Sequence, residues 1–390
     1  MSKNVTVGID IGTYRVKVVV TEQLKPSTAP RIIATGGAES RGLRHGYIIN
    51  SSDAIRSIRQ AISQAEKEAG ISIDRAFISI GGIGLESTTS QGSAIISRAD
   101  SEITELDIEK AHESAENNIP PALSLNRKII HSIPIQYMID GKPVLGNPLG
   151  MRGTKLIVKI LFISCLENHI NDLIEAVEEA GVEVIDVSAS PIAASFVTLT
   201  KTQKIAGCVL ANIGAETVSI VVFENNIPIS LEVFPIGTTD ITHDIALNLK
   251  IPLEEAEQIK LEGHFSSAVQ KNLEEIIDTR LKDMLDLIEV HLKKIGRDGL
   301  LPAGIIITGG GSGIGSVSDL AKSVLRLPSQ RANLNFGGRD VFKDSTSAVA
   351  YGLCILGLTS SGKTEGIKFG GAFFKSIKNR FLLLIKQILP

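Results

Sequence analysis

The feature that most constrains the fold is an internal repeat between the two halves of the chain. The sequence from Val7 to Glu22 aligns without gaps on the sequence from Val209 to Glu224, 202 positions later. Each copy has two runs rich in β-branched residues on either side of a glycine-bearing turn, which predicts a β-hairpin. A hairpin at the start of each half predicts two lobes of similar fold with a shared site between them. Identical residues in the two copies include Ile11, Gly12, Val16, Val19, Val20 and Glu22.

The rest of the chain alternates between helical and strand patterns, which predicts an α/β protein. We expect Ser52 or Asp53 to cap the first long helix at its N-terminus, and Gly70 to end it. At 390 residues the chain is too long for one ordinary core. The predicted helices are Asp53–Ala69, Leu166–Ala180 and Val269–Ile295, and the strands that follow them are Arg75–Ile80, Val182–Val187 and Gly304–Thr308.

A change of pattern between Gly82 and Phe162 predicts an inserted α+β subdomain. Here a polar helix, Thr104–Asn117, lies between the strand-like runs Ser93–Ser97 and Lys128–Tyr137. The predicted domains are a first-lobe core over 1–82, 162–190 and 335–359, the insert over 83–161, a second-lobe core over 191–237 and 300–334, a smaller second-lobe subdomain over 238–299, a glycine-rich linker over 360–371 and a terminal helix over 372–390.

Charge and cysteine content exclude several classes of protein. The formal net charge of −3 gives no reason to expect a nucleic-acid partner. The three cysteines lie far apart in apolar runs, which predicts buried thiols in a reducing cytosol rather than a disulfide or metal site. The N-terminal residues pass directly into a strand-like run, and no apolar run reaches the length of a spanning helix, so we expect a soluble or peripheral protein.

The two glycine turns have the chemistry of a phosphate site. Glycine lets backbone amides approach phosphate oxygens that a side chain would block. Asp10, just before the first turn, can hold Mg²⁺ through water, because a hard cation prefers carboxylate and water oxygens. Lys17 in the second strand could reach back to a phosphate. A single such hairpin equally fits an ordinary structural turn, but the duplication, with a third glycine turn at Thr308–Gly311, favours a nucleotide.

This arrangement resembles the actin, Hsp70 and sugar-kinase superfamily, which has an actin-like (ribonuclease H-like) two-lobed ATPase fold. The resemblance implies ATP and Mg²⁺ as ligands. It also implies that Glu257 and Lys260 contact adenosine, although an ordinary surface helix can carry such a pair. The implied ATP-binding residues are Asp10, Gly12, Thr13, Tyr14 and Lys17 in the first element, Asn212, Gly214, Ala215 and Glu216 in the second, and Gly309, Gly310, Gly311 and Ser312 in the third.

The second element departs from the superfamily pattern. Relatives usually have Asp-x-Gly-Gly-Gly-Thr there, whereas this chain has Asn212 in place of the aspartate. An amide cannot supply the charge that holds Mg²⁺ or orients attacking water, and Glu216 would add a negative charge near the phosphates. We expect ATP binding with at most slow hydrolysis, and we assign no catalytic residue. Gly357–Thr364 matches the P-loop pattern, but too little chain follows it, so we interpret it as a chance match.

The C-terminal segment Ala372–Leu389 has the pattern of an amphipathic helix that lies in a membrane interface. The alternative is a terminal helix that packs on its own protein. Five basic residues and no acidic residue lie between Gly366 and Pro390, which suits an anionic lipid surface. The candidate membrane residues are Phe373, Phe374, Ile377, Phe381, Leu384, Ile385 and Ile388 on the apolar face, flanked by Lys375, Lys378, Arg380 and Lys386.

Several motifs spread over the whole chain resemble the FtsA family of bacterial cell-division proteins. They are Ser40–Gly46, Ile133–Tyr137, Asn147–Met151, Glu254–Lys260 and Ala303–Gly310.

The family resemblance implies an adaptor that polymerises on the cytoplasmic face of the inner membrane as a peripheral protein. It would bind the C-terminal peptide of the tubulin-like FtsZ and recruit later division membrane proteins through the insert. Lys271 and Arg280 match basic positions of the FtsZ-binding subdomain, although both also fit a solvated helix face. A type IV pilus adaptor of the PilM type has the same fold but would normally lack the basic tail. A small-molecule kinase would need a catalytic carboxylate, and an Hsp70-like chaperone a further domain.

Overall fold

The computed structural model describes residues 4–24, 30–262, 267–334 and 345–360. Its strands, in chain order, are β1 (Asn4–Ile11), β2 (Arg15–Gln23), β3 (Arg31–Glu39), β4 (Leu43–Arg44), β5 (Tyr47–Ile48), β6 (Arg75–Ile80), β7 (Glu86–Ile95), β8 (Arg127–Ile139), β9 (Lys142–Val144), β10 (Lys155–Leu166), β11 (Glu183–Ala189), β12 (Cys208–Ile213), β13 (Val218–Glu224), β14 (Ile227–Phe234), β15 (Ile305–Thr308) and β16 (Ser329–Arg331).

The helices alternate with these strands as the sequence patterns predict. They are α1 (Ser51–Ala69), α2 (Glu105–Asn117), α3 (Pro121–Ser124), α4 (Glu167–Glu179), α5 (Ser190–Thr198), α6 (Lys201–Ala206), α7 (Thr238–Leu249), α8 (Leu253–Glu262), α9 (Ser267–Lys294), α10 (Val317–Leu325) and α11 (Ala348–Ser360), with short 3₁₀ turns at Gly310–Gly313 and Ser345–Ser347.

Two five-stranded sheets have the same topology. The first has the order β3-β2-β1-β6-β11, and the second has the order β14-β13-β12-β15-β16. In each sheet the first three strands are antiparallel neighbours and the last two add in parallel. The predicted hairpins are confirmed as β1–β2 and β12–β13, at the same place in each sheet. The repeat in the sequence therefore corresponds to a repeat of the fold.

The two sheets share part of one hydrophobic core. Leu210 and Val221 of the second sheet belong to the same buried cluster as Ile9 and Ile78 of the first. Helix α5 contacts strands of both sheets and packs closely on α11. A Cβ placed on Gly352 of α11 would lie 1.9 Å from the main-chain oxygen of Ala193, so the two helices meet backbone to backbone. Burial of apolar surface at α5 thus joins the lobes.

The insert is an antiparallel sheet of order β7-β10-β8-β9 covered by α2. It has its own core, in which Phe162 and Leu156 are fully buried. Its first strand also contacts the edge of the second sheet. The Ser87 hydroxyl donates to the Leu231 carbonyl at 2.7 Å and accepts from the Leu231 amide at 2.9 Å. The insert is therefore bonded to the second sheet, although its chain emerges from the first.

Some local predictions are confirmed and others are wrong. Gly70 does end α1, in the left-handed conformation at φ 66°. The predicted N-cap of this helix, Ser52 or Asp53, is wrong. The N-cap is Asn50, because its extended backbone lets the side-chain oxygen accept from the Asp53 amide at 3.2 Å. The strands of the insert are longer than predicted, and the sequence patterns missed β10.

Only the first half of the P-loop match lies within the described residues, because residues 361–364 fall outside them. Gly357–Ser360 are the last residues of α11, and a Cβ on Gly357 would lie 2.4 Å from the Phe77 ring. Gly357 is thus buried in a helix rather than in a phosphate-binding loop, and the interpretation of the motif as a chance match stays a prediction.

The three cysteines are buried free thiols. Burial raises the pKa of each thiol to about 12, so none is a reactive thiolate. Among residues 4–24, 30–262, 267–334 and 345–360, no helix is long and apolar enough to cross a bilayer. The predicted membrane helix 372–390 and the linker residues after Ser360 lie outside the described residues.

Candidate functional site

The first turn (residues 12–14) connects β1 to β2. A Cβ on Gly12 would lie 3.0 Å from the main-chain oxygen of Arg15, so a tight turn is formed here. Asp10 and Lys17 are directly opposite each other in the hairpin. Gly12 and Thr13 are half-buried, whereas the Tyr14 side chain is exposed. The turn thus carries a carboxylate and an ammonium group at its base.

The second turn (residues 214–217) repeats this geometry. A Cβ on Gly214 would lie 3.0 Å from the main-chain oxygen of Thr217, the same distance as at the first turn. Helix α7 begins against this turn, with the amide of Thr238 donating to the Gly214 carbonyl at 3.0 Å and the amide of Thr239 donating to the Ala215 carbonyl at 2.7 Å. The positive end of the α7 dipole is therefore next to the second turn.

The third turn (residues 309–313) follows β15 and packs against the second hairpin. Gly309 is buried at φ 85°, and a Cβ there would lie 2.3 Å from the Asn212 side-chain oxygen. Asn212 therefore contacts the third turn. Gly310 is exposed, and a Cβ on it would meet nothing within 4 Å. A Cβ on Gly311 would lie 2.3 Å from the Ile213 side chain.

Residues 345–347 connect the third turn to the first hairpin. The Lys17 ammonium donates to the Thr346 carbonyl at 2.6 Å. The Thr308 hydroxyl donates to the Ser345 carbonyl at 3.1 Å, and the Ser312 hydroxyl lies 3.0 Å from that of Ser345. Residues 345–347 therefore contact both the first hairpin and the third turn.

A second connection runs along residues 40–46, which we call the connecting segment. The amide of Ser40 donates to the Tyr14 carbonyl of the first turn at 3.0 Å. At the other end, the amide of His45 donates to the Glu216 carboxylate of the second turn. The sequence predicts Glu216 near the phosphates; in the structure its carboxylate accepts a hydrogen bond from the His45 amide of the first lobe.

Asp10 has an environment that suits a bound cation. Burial raises the pKa of its carboxyl group, while the Lys17 ammonium and a 2.7 Å hydrogen bond from the Ser79 hydroxyl act in the opposite direction. A divalent cation close to this carboxylate would favour its charged form. The chemistry of Asp10 therefore fits the predicted role of holding Mg²⁺ through water.

The predicted adenosine pair lies beside the second turn. Lys260 and Glu257 form an ion pair of 2.6 Å on α8. Lys260 also donates to the Thr238 carbonyl at 3.1 Å and to the Thr242 hydroxyl at 2.8 Å, and that hydroxyl donates to Glu257 at 2.5 Å. The pair is thus bonded to the N-terminal end of α7.

Lys271 and Arg280 lie on α9, where Arg280 bonds to α7. The guanidinium group of Arg280 bonds to both carboxylate oxygens of Asp244, at 2.7 and 3.0 Å, and lies 3.3 Å from Asp283. The hydrogen bond to Asp244 is the main reason that the pKa of Arg280 is raised. Lys271 is exposed. An acidic peptide at Arg280 would therefore compete with Asp244 and Asp283.

Sequence reasoning missed four contributors to the site. His45 lies inside the family-like motif Ser40–Gly46, but the motif gives no indication of its contact. Ser79 is the penultimate residue of β6, a parallel strand next to β1, which could have indicated its position. Ser345 and Thr346 gave no signal, because their contacts are formed by residues far away in the chain.

The fold and the paired turns define an actin-like protein. Among solved structures, the PilM–PilN type IV pilus biogenesis complex is similar with a TM-score of 0.69 at 18% identity, over 90% of this chain and 98% of that one. MreB5 of Spiroplasma citri bound to ADP is similar with a TM-score of 0.50 at 13% identity, over 90% and 95%. At these identities the likenesses show the fold alone.

Sequence comparisons identify the family. The cell division protein FtsA model matches residues 209–352, and the model of the SHS2 domain inserted in FtsA matches residues 82–164. The FtsA of Bacillus subtilis is 31% identical over 85% of this chain and 79% of its own length. The FtsA of Borreliella burgdorferi is 30% identical over 85% and 84%. The chain belongs to the FtsA family of cell division proteins, as the motifs predicted.

Proposed function

We propose that this chain binds ATP and Mg²⁺ in the cleft between the three turns. The observation that carries the proposal is the pairing of the first and second turns, which make the same close contact at their glycines and are both bonded to residues 40–46. Backbone amides of the two turns would bind the phosphates, and Lys17 would neutralise part of their charge. Asp10 would hold the cation through water. The MreB5 structures with ADP and AMPPNP support the choice of ligand.

The adenosine end of the nucleotide would lie at the third turn. Gly310 is open on its Cβ side, so the backbone there can be approached closely. The Glu257–Lys260 pair would lie on the α8 side of the same end. Ser312 is buried and donates to the Gly309 carbonyl at 2.6 Å, so it would shape the turn.

Hydrolysis of the bound nucleotide would be slow. Asn212 stands where a carboxylate would help to hold the cation or orient water, and its side-chain oxygen lies against Gly309. The Glu216 carboxylate accepts from His45. The chain would therefore act through nucleotide binding rather than through fast turnover.

In the cell, the chain would work as a division adaptor on the cytoplasmic face of the inner membrane. Family membership supports a role with division proteins, with FtsZ filaments as the tethered partner and the insert as the recruiting surface for later proteins. The five basic residues after Gly366 would each contribute about 1 kcal/mol at an anionic leaflet, in addition to the burial of phenylalanine and isoleucine side chains. Self-assembly into filaments would multiply this attachment.

The docking of FtsZ's acidic C-terminal peptide would use the α9 surface near Arg280 and Lys271. Opposite charges favour such an encounter. Since Arg280 already pairs with Asp244 and Asp283, a peptide carboxylate would have to replace part of that network. We expect the contact to be weak for one chain and strong for a filament.

Removal of the tail is expected to abolish membrane attachment. The full chain and a variant ending at Gly371 are sedimented with vesicles that contain 30% phosphatidylglycerol, with and without FtsZ. We expect the full chain to carry FtsZ into the pellet, and the truncated chain to leave both proteins in the supernatant. Replacing Lys375, Lys378, Arg380 and Lys386 by glutamine keeps the apolar face and should weaken binding by roughly 4 kcal/mol.

Two results would contradict this function. Equal sedimentation of the full and truncated chains would remove the membrane role of the tail. Sedimentation of the full chain without any FtsZ would remove the tethering role and would favour the pilus-type alternative.

A further inference from the structure

Glu216 and His45 make a contact between the lobes at the second turn. The His45 amide donates to the Glu216 carboxylate, and the His45 ring nitrogen Nδ1 lies 3.2 Å from the Glu216 main-chain oxygen. Glu216 belongs to the second turn, between β12 and β13. His45 belongs to the loop between β4 and β5, which lies between β3 and β6 of the first sheet in the chain. The contact thus joins the two lobes.

The connecting segment contacts the same position of each repeat. Tyr14 and Glu216 are equivalent in the two hairpins, because the repeat has an offset of 202 residues. The Tyr14 carbonyl accepts from the Ser40 amide at 3.0 Å, and the Glu216 carbonyl lies next to the His45 ring. Only the second turn adds a carboxylate to this contact, since the equivalent residue of the first turn is tyrosine. The segment therefore spans the two turns, with its stronger attachment at Glu216.

The His45 loop is a firm attachment point. The Ile83 amide donates to the His45 carbonyl at 3.3 Å. A Cβ on Gly46 would lie 2.5 Å from the Gly82 Cα, so the loop packs directly on the backbone that follows β6. Both partners of the contact are only partly exposed, at 33% of the His45 side chain and 24% of the Glu216 side chain. Movement of Glu216 away from the first lobe is therefore resisted by the backbone that follows β6 of the first sheet.

We propose that Glu216 and His45 form a latch that holds the second turn to the first lobe and slows nucleotide exchange. This inference rests on the proposed binding of ATP in the cleft. For a nucleotide to leave between the turns, the lobes must separate at the second turn, and the charge-assisted hydrogen bond at Glu216 must break first.

The test uses the nucleotide-free chain first. Hydrogen exchange of the His45 amide is measured in the wild-type chain and in Glu216→Ala, with circular dichroism to verify the fold. We expect exchange in Glu216→Ala to be faster by about 10-fold or more, because the amide loses its acceptor. His45→Ala is the matched variant: it removes the ring but keeps the main-chain donor, so we expect a change of a few-fold at most. Glu216→Gln keeps a neutral acceptor and should lie between them.

Release of a fluorescent ADP analogue is then followed after mixing with excess ATP. We expect Glu216→Ala to release the analogue about 10-fold faster or more, and His45→Ala to stay within a few-fold of wild type. Unchanged His45 exchange in Glu216→Ala, or faster exchange with unchanged release, overturns the latch. Failure of the wild-type chain to bind the analogue overturns the proposed function and with it the effect on nucleotide release, and the His45 amide exchange then tests only the contact between the lobes.

Discussion

Replacing Gly309 by alanine is expected to destabilise the chain by about 3–5 kcal/mol. Gly309 has φ 85° and ψ −180°, a conformation that is almost restricted to glycine. A Cβ there would lie 2.3 Å from the Asn212 side-chain oxygen and 2.5 Å from the Ile213 main-chain oxygen. Both atoms belong to the hairpin strand that pairs with β15, so neither can move freely. The measurement is urea unfolding at 25 °C.

Gly310→Ala is the matched control for this prediction. Gly310 is the next residue, lies outside the left-handed region, and has an open Cβ side. We expect its free energy of unfolding to stay within about 0.5 kcal/mol of wild type. Equal stability of the two variants would mean that the third turn does not pack on Asn212 as described.

Replacing Lys204 by methionine is expected to stabilise the chain by about 2 kcal/mol at pH 7. The Lys204 side chain is buried between Phe196 and Phe223, with its ammonium 5.0 and 4.9 Å from the ring centroids and 3.4 Å from the Ser195 hydroxyl. Burial lowers its pKa from 10.5 to about 8. Keeping this charge buried costs roughly 3 kcal/mol, which the aromatic rings offset in part.

The pH dependence gives this prediction a second readout. Because the folded pKa is depressed, the unfolded chain binds more protons between pH 8 and 10.5, and wild-type stability should rise with pH across that range. The advantage of Lys204→Met should therefore shrink to less than about 1 kcal/mol at pH 10. Lys201→Met, at an exposed position of the same helix, should change stability by less than about 0.5 kcal/mol at either pH. Destabilisation by Lys204→Met at pH 7 would contradict the buried-charge argument.

The fold was predictable from the sequence because its main signal is local and repeated. Each hairpin contains its own strands and turn, so the spacing of Gly12 and Gly214 was enough to indicate equivalent turns in two lobes. Helix periodicity likewise predicted the bounds of α1 and α9 to within a few residues. Local patterns were weaker at element ends, where the choice of Asn50 over Ser52 as N-cap depended on the backbone conformation before the helix.

The arrangement of the site was only partly predictable, because its remaining contacts are long-range. The Lys17–Thr346 bond joins residues separated by 329 positions, and the His45–Glu216 bond joins residues separated by 171. No spacing rule in one sequence reports such pairs. The ion pair of Arg280 was not predicted for the same reason. The charge of Arg280 suggested that it binds an acidic peptide, but its carboxylate partner in the structure, Asp244, lies on another helix.

The most direct test of the central claim is a crystal structure of the chain with AMPPNP and Mg²⁺. We predict density for the triphosphate between Gly12 and Gly214, with the cation close to Asp10 and the base near Gly310. A cleft without nucleotide at saturating concentration, or nucleotide bound away from these turns, would contradict the account.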